Sequence, residues 1–513
     1  MPGRLEPLLA EVAPAPTTAT ACQLLQPAPV ATRPVSMTEA VPCPFGSIPN
    51  GISVVADGRQ AFALRAAATR AASRSLDLQY YAWHSDLTGR LLACEALRAA
   101  DRGVQVRILL DDMFAFGKER TLSALGTHPS IEVRLFNGTR WRRFGRLGFA
   151  LELLLGGKHL NHRMHNKAWI VDGQIAIAGG RNIGDEYFDA AETFNFRDLD
   201  LVVAGTTARS VADAFERYWS SPLARCASEL SSAYDAKGGL PALREVLEAA
   251  TCEPAARAFL EACPDSASLL TDLGRRLVPV AKQATRVVAD PPRKAKRGLG
   301  ARRRARAAGG LGPEVADALR KARHKALLIS PYFVPGKAGL DLLLKLVHRG
   351  VRVSVVTNSL AATDVVAVHG GYAHYRRRLL EAGVELFELK PSGSEPTSML
   401  GSQGASLHTK AFAVDDTLVC VGSFNLDPRS TALNTEMGIF AEHPTLARSV
   451  MAEHARLADP SRSWRVALEQ GRLTWSDCDS DARRRVVSSE PGASLRRRIL
   501  TRLVRLLPIE EHL

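Results

Sequence analysis

From about residue 50 onward, short runs of Val, Ile and Leu alternate with stretches whose apolar residues recur every three or four positions. These are the periods of a strand and of an amphipathic helix. They predict a strand over 75–82, a helix over 88–100, a strand over 104–110 ending at Asp111-Asp112, and another strand over 131–136. The same order returns as a strand over 326–332, a helix over 339–347, and strands over 351–357 and 384–389. Arg102-Gly103-Val104-Gln105-Val106 and Arg349-Gly350-Val351-Arg352-Val353 lie 247 residues apart. A spacing that long marks the duplication of a whole α/β domain, not a short solenoid repeat.

The polar residues that interrupt this pattern repeat as well. His165-Asn166-Lys167, Asp172 and Gly179-Gly180-Arg181-Asn182 reappear 243 residues later as His408-Thr409-Lys410, Asp415 and Gly422-Ser423-Phe424-Asn425. In each copy an apolar run follows the Lys, a turn falls at the Asp, and a second apolar run leads to the Gly pair, which predicts a β-hairpin. On an extended strand a His and a Lys two apart point to one face. The Gly pair lets backbone approach closely, and the Asn adds an amide. An imidazole, an ammonium and an amide on one surface suit a phosphate, supplying a nucleophile or proton donor, a positive charge and a neutral donor.

HxKxxxxD followed by G(S/G)xN, twice, resembles the signature of the phospholipase D superfamily, which includes nucleases and phosphatidyltransferases. Arg181 to Phe188, Ser423 to Ser430, Leu76 to Tyr81 and Thr357 to Asp364 are most similar to bacterial cardiolipin synthases of the C-type branch. Gly180 departs from the usual Ser. The resemblance implies an α/β fold of two pseudo-symmetric phospholipase D-like domains, each a mixed β-sheet flanked by helices, sharing one active site at their interface. It implies phosphatidyl transfer through a covalent phosphatidyl-histidine to phosphatidylglycerol, with His165 the nucleophile and His408 the acid/base; the pseudo-symmetry also permits the reverse. Lys167, Lys410, Asn182 and Asn425 would stabilise the phosphoryl charge. Glu436 would orient one histidine, and Asp198, or alternatively Asp200, the other. Asp172 and Asp415 are expected to hold the hairpin turn or the domain interface, with Gly179, Gly180, Gly422 and Ser423 as structural parts of the motif. No metal or cofactor is required. Two other activities compete: phospholipase D hydrolysis, with water capturing the same intermediate, and a phosphodiesterase acting on nucleic acid.

Composition sharpens this picture in two places. A net charge of +14 implies an anionic partner or simply a basic surface. The eight cysteines form no CxxC pair, which argues against a zinc ribbon or disulfide framework. The expected layout is a disordered Ala/Pro/Thr-rich leader at 1–45, a first α/β domain at 46–225, a helical and basic linker at 226–311, a second domain at 312–475 and a tail at 476–513. In the tail, Leu495, Ile499, Leu500, Leu503, Val504, Leu506 and Leu507 fall on one half of a helix and most of the arginines on the other. Such a helix fits either a membrane surface or a dock on its own domain. With no run of 18 apolar residues, the expectation is a peripheral protein of the bacterial cell membrane. Its partners would be phospholipids, phosphatidylglycerol with phosphatidylethanolamine as a candidate second, with no obligatory protein partner and lipid favoured over nucleic acid.

Overall fold

A computed structural model describes residues 50–139, 141, 144–154, 158–230, 239–295, 310–391, 406–478 and 484–504. The expected leader and Arg302 to Arg306 of the basic segment lie outside the described residues. Two large sheets organise the chain. The first runs Val278–Pro279, Gly51–Val55, Asp200–Ala204, Ile175–Gly179, Ala168–Val171, Ser75–Tyr80, Gln105–Asp111, Ile131–Phe136, Ala224–Cys226. The second runs Thr285–Ala289, Met437–Glu442, Leu418–Gly422, Ala411–Val414, Lys325–Ile329, Arg352–Asn358, Glu385–Leu389, Ser463–Glu469, Arg472–Cys478, Arg484–Val487. In each, three parallel strands come from the predicted strand–helix–strand order, and the motif hairpin is added antiparallel to the first of them. The fold is thus mixed α/β, with helices on the sheet faces.

The hairpins sit mid-sheet because both faces are apolar: Ala168–Val171 and Ile175–Gly179 are buried at every position. Their turn aspartates do one job in both halves. Asp172 has a φ of 53° and accepts from the backbone N–H of Ser73, Arg74 and Ser75 at 2.7–3.0 Å. Asp415 has a φ of 51° and accepts from those of Arg323, His324 and Lys325. Each ties the hairpin turn to the start of the neighbouring parallel strand. They lie at the turns and not at the domain interface.

Three apolar clusters hold the molecule together. One fills the first half and one the second. A third spans both, bringing Ile170, Ala176 and Leu201 together with Ala413, Val419 and Ile439. The two sheets are therefore joined by a hydrophobic core. Residues 226–311 contribute to both halves. Leu243, Leu247, Phe259 and Leu273, on helices Gly239–Cys252, Pro254–Glu261 and Ser266–Arg276, complete the first core, while Thr285–Ala289 pairs with Met437–Glu442. The second sheet runs past 475 into the tail, whose helix Leu495–Val504 lies on the helix Val366–Ala382.

Removing one turn acceptor tests this scheme. Asp172→Ala is expected to lower unfolding free energy by about 2 kcal/mol, because three backbone donors lose their partner. Burial raises the carboxyl's pKa, but the donors from Ser75, Ser73 and Arg74 outweigh it and leave it below its ordinary value. Its contribution is therefore present above the unfolded carboxylate's pKa and lost as pH falls through the folded one. In urea melts the wild-type and Asp172→Ala midpoints should converge as pH is lowered; a constant gap would sink the idea.

Candidate active site

Each half approaches the other through a short stretch of extended chain. Ser406–Leu407 pairs in parallel with Phe196–Arg197, and His408 and Thr409 donate their backbone N–H to the Arg197 carbonyl at 2.8 and 3.0 Å. Met164 bridges Thr435 in the same sense, and His165 donates its N–H to the Thr435 carbonyl at 2.9 Å. The residue after Arg197 is Asp198, and the residue after Thr435 is Glu436. Pairing backbone at these two points sets each histidine beside the carboxylate of the other half.

The side chains complete that crossing. His165 Nδ1 lies 2.8 Å from Glu436 Oε2, and His408 Nδ1 lies 2.6 Å from Asp198 Oδ2. With a carboxylate on Nδ1, each ring keeps its Nε2 for chemistry. Asp200, the alternative to Asp198, pairs instead with the buried Arg65 at 2.8 Å. Lys167 and Lys410 each curl back to donate to the carbonyl of the histidine two residues before, Lys167 at 2.6 Å. All eight expected catalytic side chains are buried, with Glu436 at 0% and Lys167 at 1% exposure.

The two asparagines differ. Asn182 Nδ2 donates to the Tyr187 hydroxyl at 2.9 Å and its Oδ1 accepts from the Ala82 N–H at 3.3 Å. Asn425 Oδ1 is buried without a hydrogen-bond partner. The glycine pairs act as spacers. A β-carbon at Gly179 would sit 2.3 Å from Asp200 Oδ1, one at Gly422 2.2 Å from the Met437 carbonyl, and one at Gly180 2.2 Å from Asp198 Oδ1. Ser423, the counterpart of Gly180, does more than fill space: its hydroxyl donates to Glu436 Oε2. The Gly180 departure therefore makes the two carboxylates unequal.

Burial sets the protonation of the cleft. It pushes His165 down to about 4, against the opposing pull of Glu436. His408 is also held well below the ordinary imidazole value, by burial and then by Lys410 and Lys167. Burial lowers Lys410 to about 8 and Lys167 well below its usual value. Burial raises Glu436, but His165, Lys167 and the Ser423 hydroxyl together outweigh it and leave the carboxyl below its ordinary value. Burial holds Asp198 above its ordinary value despite Lys410 and Arg181. Such a cleft favours an anionic ligand. It can bind a phosphodiester, attack it with one Nε2 and protonate or deprotonate an alcohol with the other.

Several neighbours were not singled out from the sequence. Tyr81 sets its ring edge against His165 at 5.2 Å between centroids, and Tyr187 and Phe196 flank His408 at 5.2 and 4.8 Å. Tyr81 and Tyr187 lie inside the stretches that carry the family likeness, but nothing in the local pattern marks them as site residues. Asp290, in the supposed linker, accepts from the Glu436 N–H at 3.0 Å and from Lys294 at 2.6 Å, fixing the backbone that bears Glu436. No spacing signal links residue 290 to 436.

Two lobes that each lend a histidine, a lysine and a carboxylate to one cleft define an enzyme of the phospholipase D type. The family model described as "Cardiolipin synthase, PLD-like domain" matches residues 66–219 and 315–458. Cardiolipin synthase C of Escherichia coli (strain K12) is 39% identical over 457 residues, covering 88% of this chain and 93% of that protein. Cardiolipin synthase A of Pseudomonas putida is 25% identical over 426 residues, 83% of this chain and 71% of that one. Among solved structures, phosphatidylserine synthase of Haemophilus influenzae Rd KW20 superposes with a TM-score of 0.57 at 13% identity, covering 91% of this chain and 98% of the other, a likeness of fold. The chain belongs to the cardiolipin synthase family and is a phosphatidyltransferase of the phospholipase D superfamily.

Two outcomes follow from the geometry. An anion entering the cleft raises the pKa values that burial has lowered, so inorganic vanadate should bind at pH 7 with uptake of about one proton. Calorimetry in two buffers of different ionisation heat reads this directly; zero uptake, or release, would count against it. Gly180→Ser restores the commoner residue yet should lower turnover by about a hundredfold, because the added carbon displaces Asp198 from His408. Unchanged turnover in that variant would show that the cleft accommodates the serine.

Proposed function

We propose that the enzyme forms cardiolipin by moving a phosphatidyl group from one phospholipid to the hydroxyl of phosphatidylglycerol, working peripherally on the bacterial membrane. The observation that carries this reading is the crossed pairing of two imidazoles with two carboxylates around one buried cleft that also holds Lys167 and Lys410. His165 Nε2 attacks the donor phosphorus and the bond to the leaving alcohol breaks, with His408 giving that oxygen a proton. The product of this half-reaction is a phosphatidyl group bonded to His165. The acceptor hydroxyl then gives its proton to His408 and its oxygen attacks phosphorus, breaking the P–N bond and returning both histidines to their starting states. Glu436 steadies the positive charge on the substituted imidazole, and Asp198 does the same for the protonated His408. Lys167, Lys410 and Asn425 are the groups suited to the charge on the non-bridging oxygens. Among the described residues no helix is long and apolar enough to cross a membrane.

His165→Ala and His408→Ala should each lose almost all turnover. Glu436→Gln and Asp198→Asn should each lose about a thousandfold or more, since an amide no longer fixes the tautomer or the charge. Acid-quenched wild-type enzyme should carry the phosphatidyl adduct on His165, located by peptide mass spectrometry. With phosphatidylglycerol vesicles the product should be cardiolipin. Phosphatidic acid as the main product at saturating acceptor would mean that water, not lipid, captures the intermediate, and the transfer reading would fall.

A further inference from the structure

Two helices of this chain are packed the wrong way round for a protein surrounded by water. In Gly145–Leu154 the leucines at 147, 151 and 154 follow core spacing, yet Leu147 is 68% and Leu154 81% exposed. Among its described side chains the buried positions are Gly148 and Glu152. A β-carbon at Gly148 would sit 2.1 Å from the Trp141 carbonyl oxygen, and Glu152 accepts from the Trp141 N–H at 3.3 Å. The tail helix repeats the arrangement. Arg497, Thr501 and Val504 face the helix Val366–Ala382, where Val504 lies so near Gly370 that a β-carbon there would be 2.8 Å away. Leu495, Ile499, Leu500 and Leu503 face outward, with Leu495 at 71% exposure. Apolar stripes at helical period on exposed faces signal a partner surface.

Both helices hang on segments that line the cleft. The chain between Phe136 and His165 is pinned where it leaves, by Thr139 donating to Asp112 at 2.8 Å, and where it returns, by the Met164 N–H donating to Asp111 at 2.8 Å. Asp112 opens the short turn that carries Met113 and Phe114, both more than a third exposed. The Phe114 ring lies 4.8 Å from Tyr81, which in turn touches His165. An aromatic path therefore runs from the surface to one histidine. On the other side Arg497 donates to the Thr363 carbonyl, and the next residue, Asp364, accepts from the Tyr332 hydroxyl at 2.7 Å. Exposed Val365 follows.

The partner is identified by its chemistry. On the tail helix the exposed leucines are interleaved with exposed Arg496 and Arg502, on a chain of net charge +14. Apolar side chains among cations match a surface with hydrocarbon beneath anionic headgroups. We infer that Gly145–Leu154 and Leu495–Val504 are twin bilayer-contacting helices that seat the cleft on an anionic lipid surface, with Phe114 and Tyr81 as the apolar path by which acyl chains accompany the phosphate to His165. This rests on the phospholipid reading above and adds to it where the bilayer is met and how the lipid enters.

The test uses full-length enzyme and two triple variants, Leu147→Gln/Leu151→Gln/Leu154→Gln and Leu495→Gln/Ile499→Gln/Leu503→Gln. The six side chains are exposed and Gln is a good helix former, so folding should be preserved; thermal melts check this. Sedimentation with phosphatidylglycerol/phosphatidylcholine vesicles should show each triple binding at least about tenfold more weakly, with wild-type binding reduced but not abolished by high salt. Turnover on vesicles should fall in parallel. Turnover on monomeric dihexanoyl phosphatidylglycerol should be unchanged, because that substrate needs no bilayer. Variants that bind vesicles like wild type overturn the inference, as does loss of a dimer in sizing columns with vesicle binding intact, since the faces would then cover a second copy. Vesicle binding is read without reference to activity. Wild type that binds vesicles through these helices but transforms neither lipid would defeat the functional reading and leave the docking surface standing.

Discussion

The cleft depends on a single constraint: each imidazole is oriented by a carboxylate that belongs to the other half of the chain. His165 leans on Glu436 and His408 on Asp198. Separate the halves, and two buried carboxylates lose their partners while both rings lose their tautomer. A buried carboxylate left without its partner is costly, so the site and the interface stabilise each other. The apolar cluster shared by the two sheets keeps them at the right distance. The backbone pairing of Arg197 with His408 and of His165 with Thr435 sets the register. Duplication alone would give two weak sites; crossing the carboxylates makes them one.

Electrostatics explains why that one site favours an anion. Two lysines and two imidazoles share a pocket from which water is largely excluded, and burial drives all four toward their neutral forms. A phosphodiester brings the negative charge that reverses this, and the charge grows on its oxygens as the transition state forms. Binding is thereby weighted toward the moment of reaction, which is what accelerates it. The halves are not electrostatic copies. Glu436 takes the Ser423 hydroxyl as its second donor, whereas Asp198, facing Gly180, takes the Leu199 backbone N–H at 2.8 Å.

Much of this was legible in the sequence because it is local. The hairpins, the parallel strands and the Asp172 and Asp415 turns all follow from period and spacing within each half. The strand expected over 131–136 is found at Ile131–Phe136, whereas the one expected over 75–82 ends at Tyr80, since Tyr81 and Ala82 continue its apolar pattern beyond the sheet. The crossed pairing is a property of how two domains dock, on which neither copy's spacing bears. Asp290 was hidden for the same reason: it reaches Glu436 only because Thr285–Ala289 crosses to the second sheet. Segment 226–311 reads as a connector by composition, yet its leucines finish one core and its strand finishes the other sheet.

The tail shows most clearly what periodicity can and cannot decide. A helical wheel separates leucines from arginines but does not say which side turns inward, and the usual assumption buries the leucines. Specific partners reverse it here. The Thr363 carbonyl takes Arg497, Gly370 leaves room for Val504, and Glu490 is gripped by Arg376 while its carbonyl takes Arg498. Rotating the helix to bury Leu495 and Ile499 would strand the Arg497 guanidinium's partner and drive bulk against Gly370. The inner face is thus fixed by groups that fit one arrangement, and the apolar face is left outward as a consequence. The same stretch anchors its neighbours, since Asp364, next to Thr363, accepts from the Tyr332 hydroxyl at 2.7 Å.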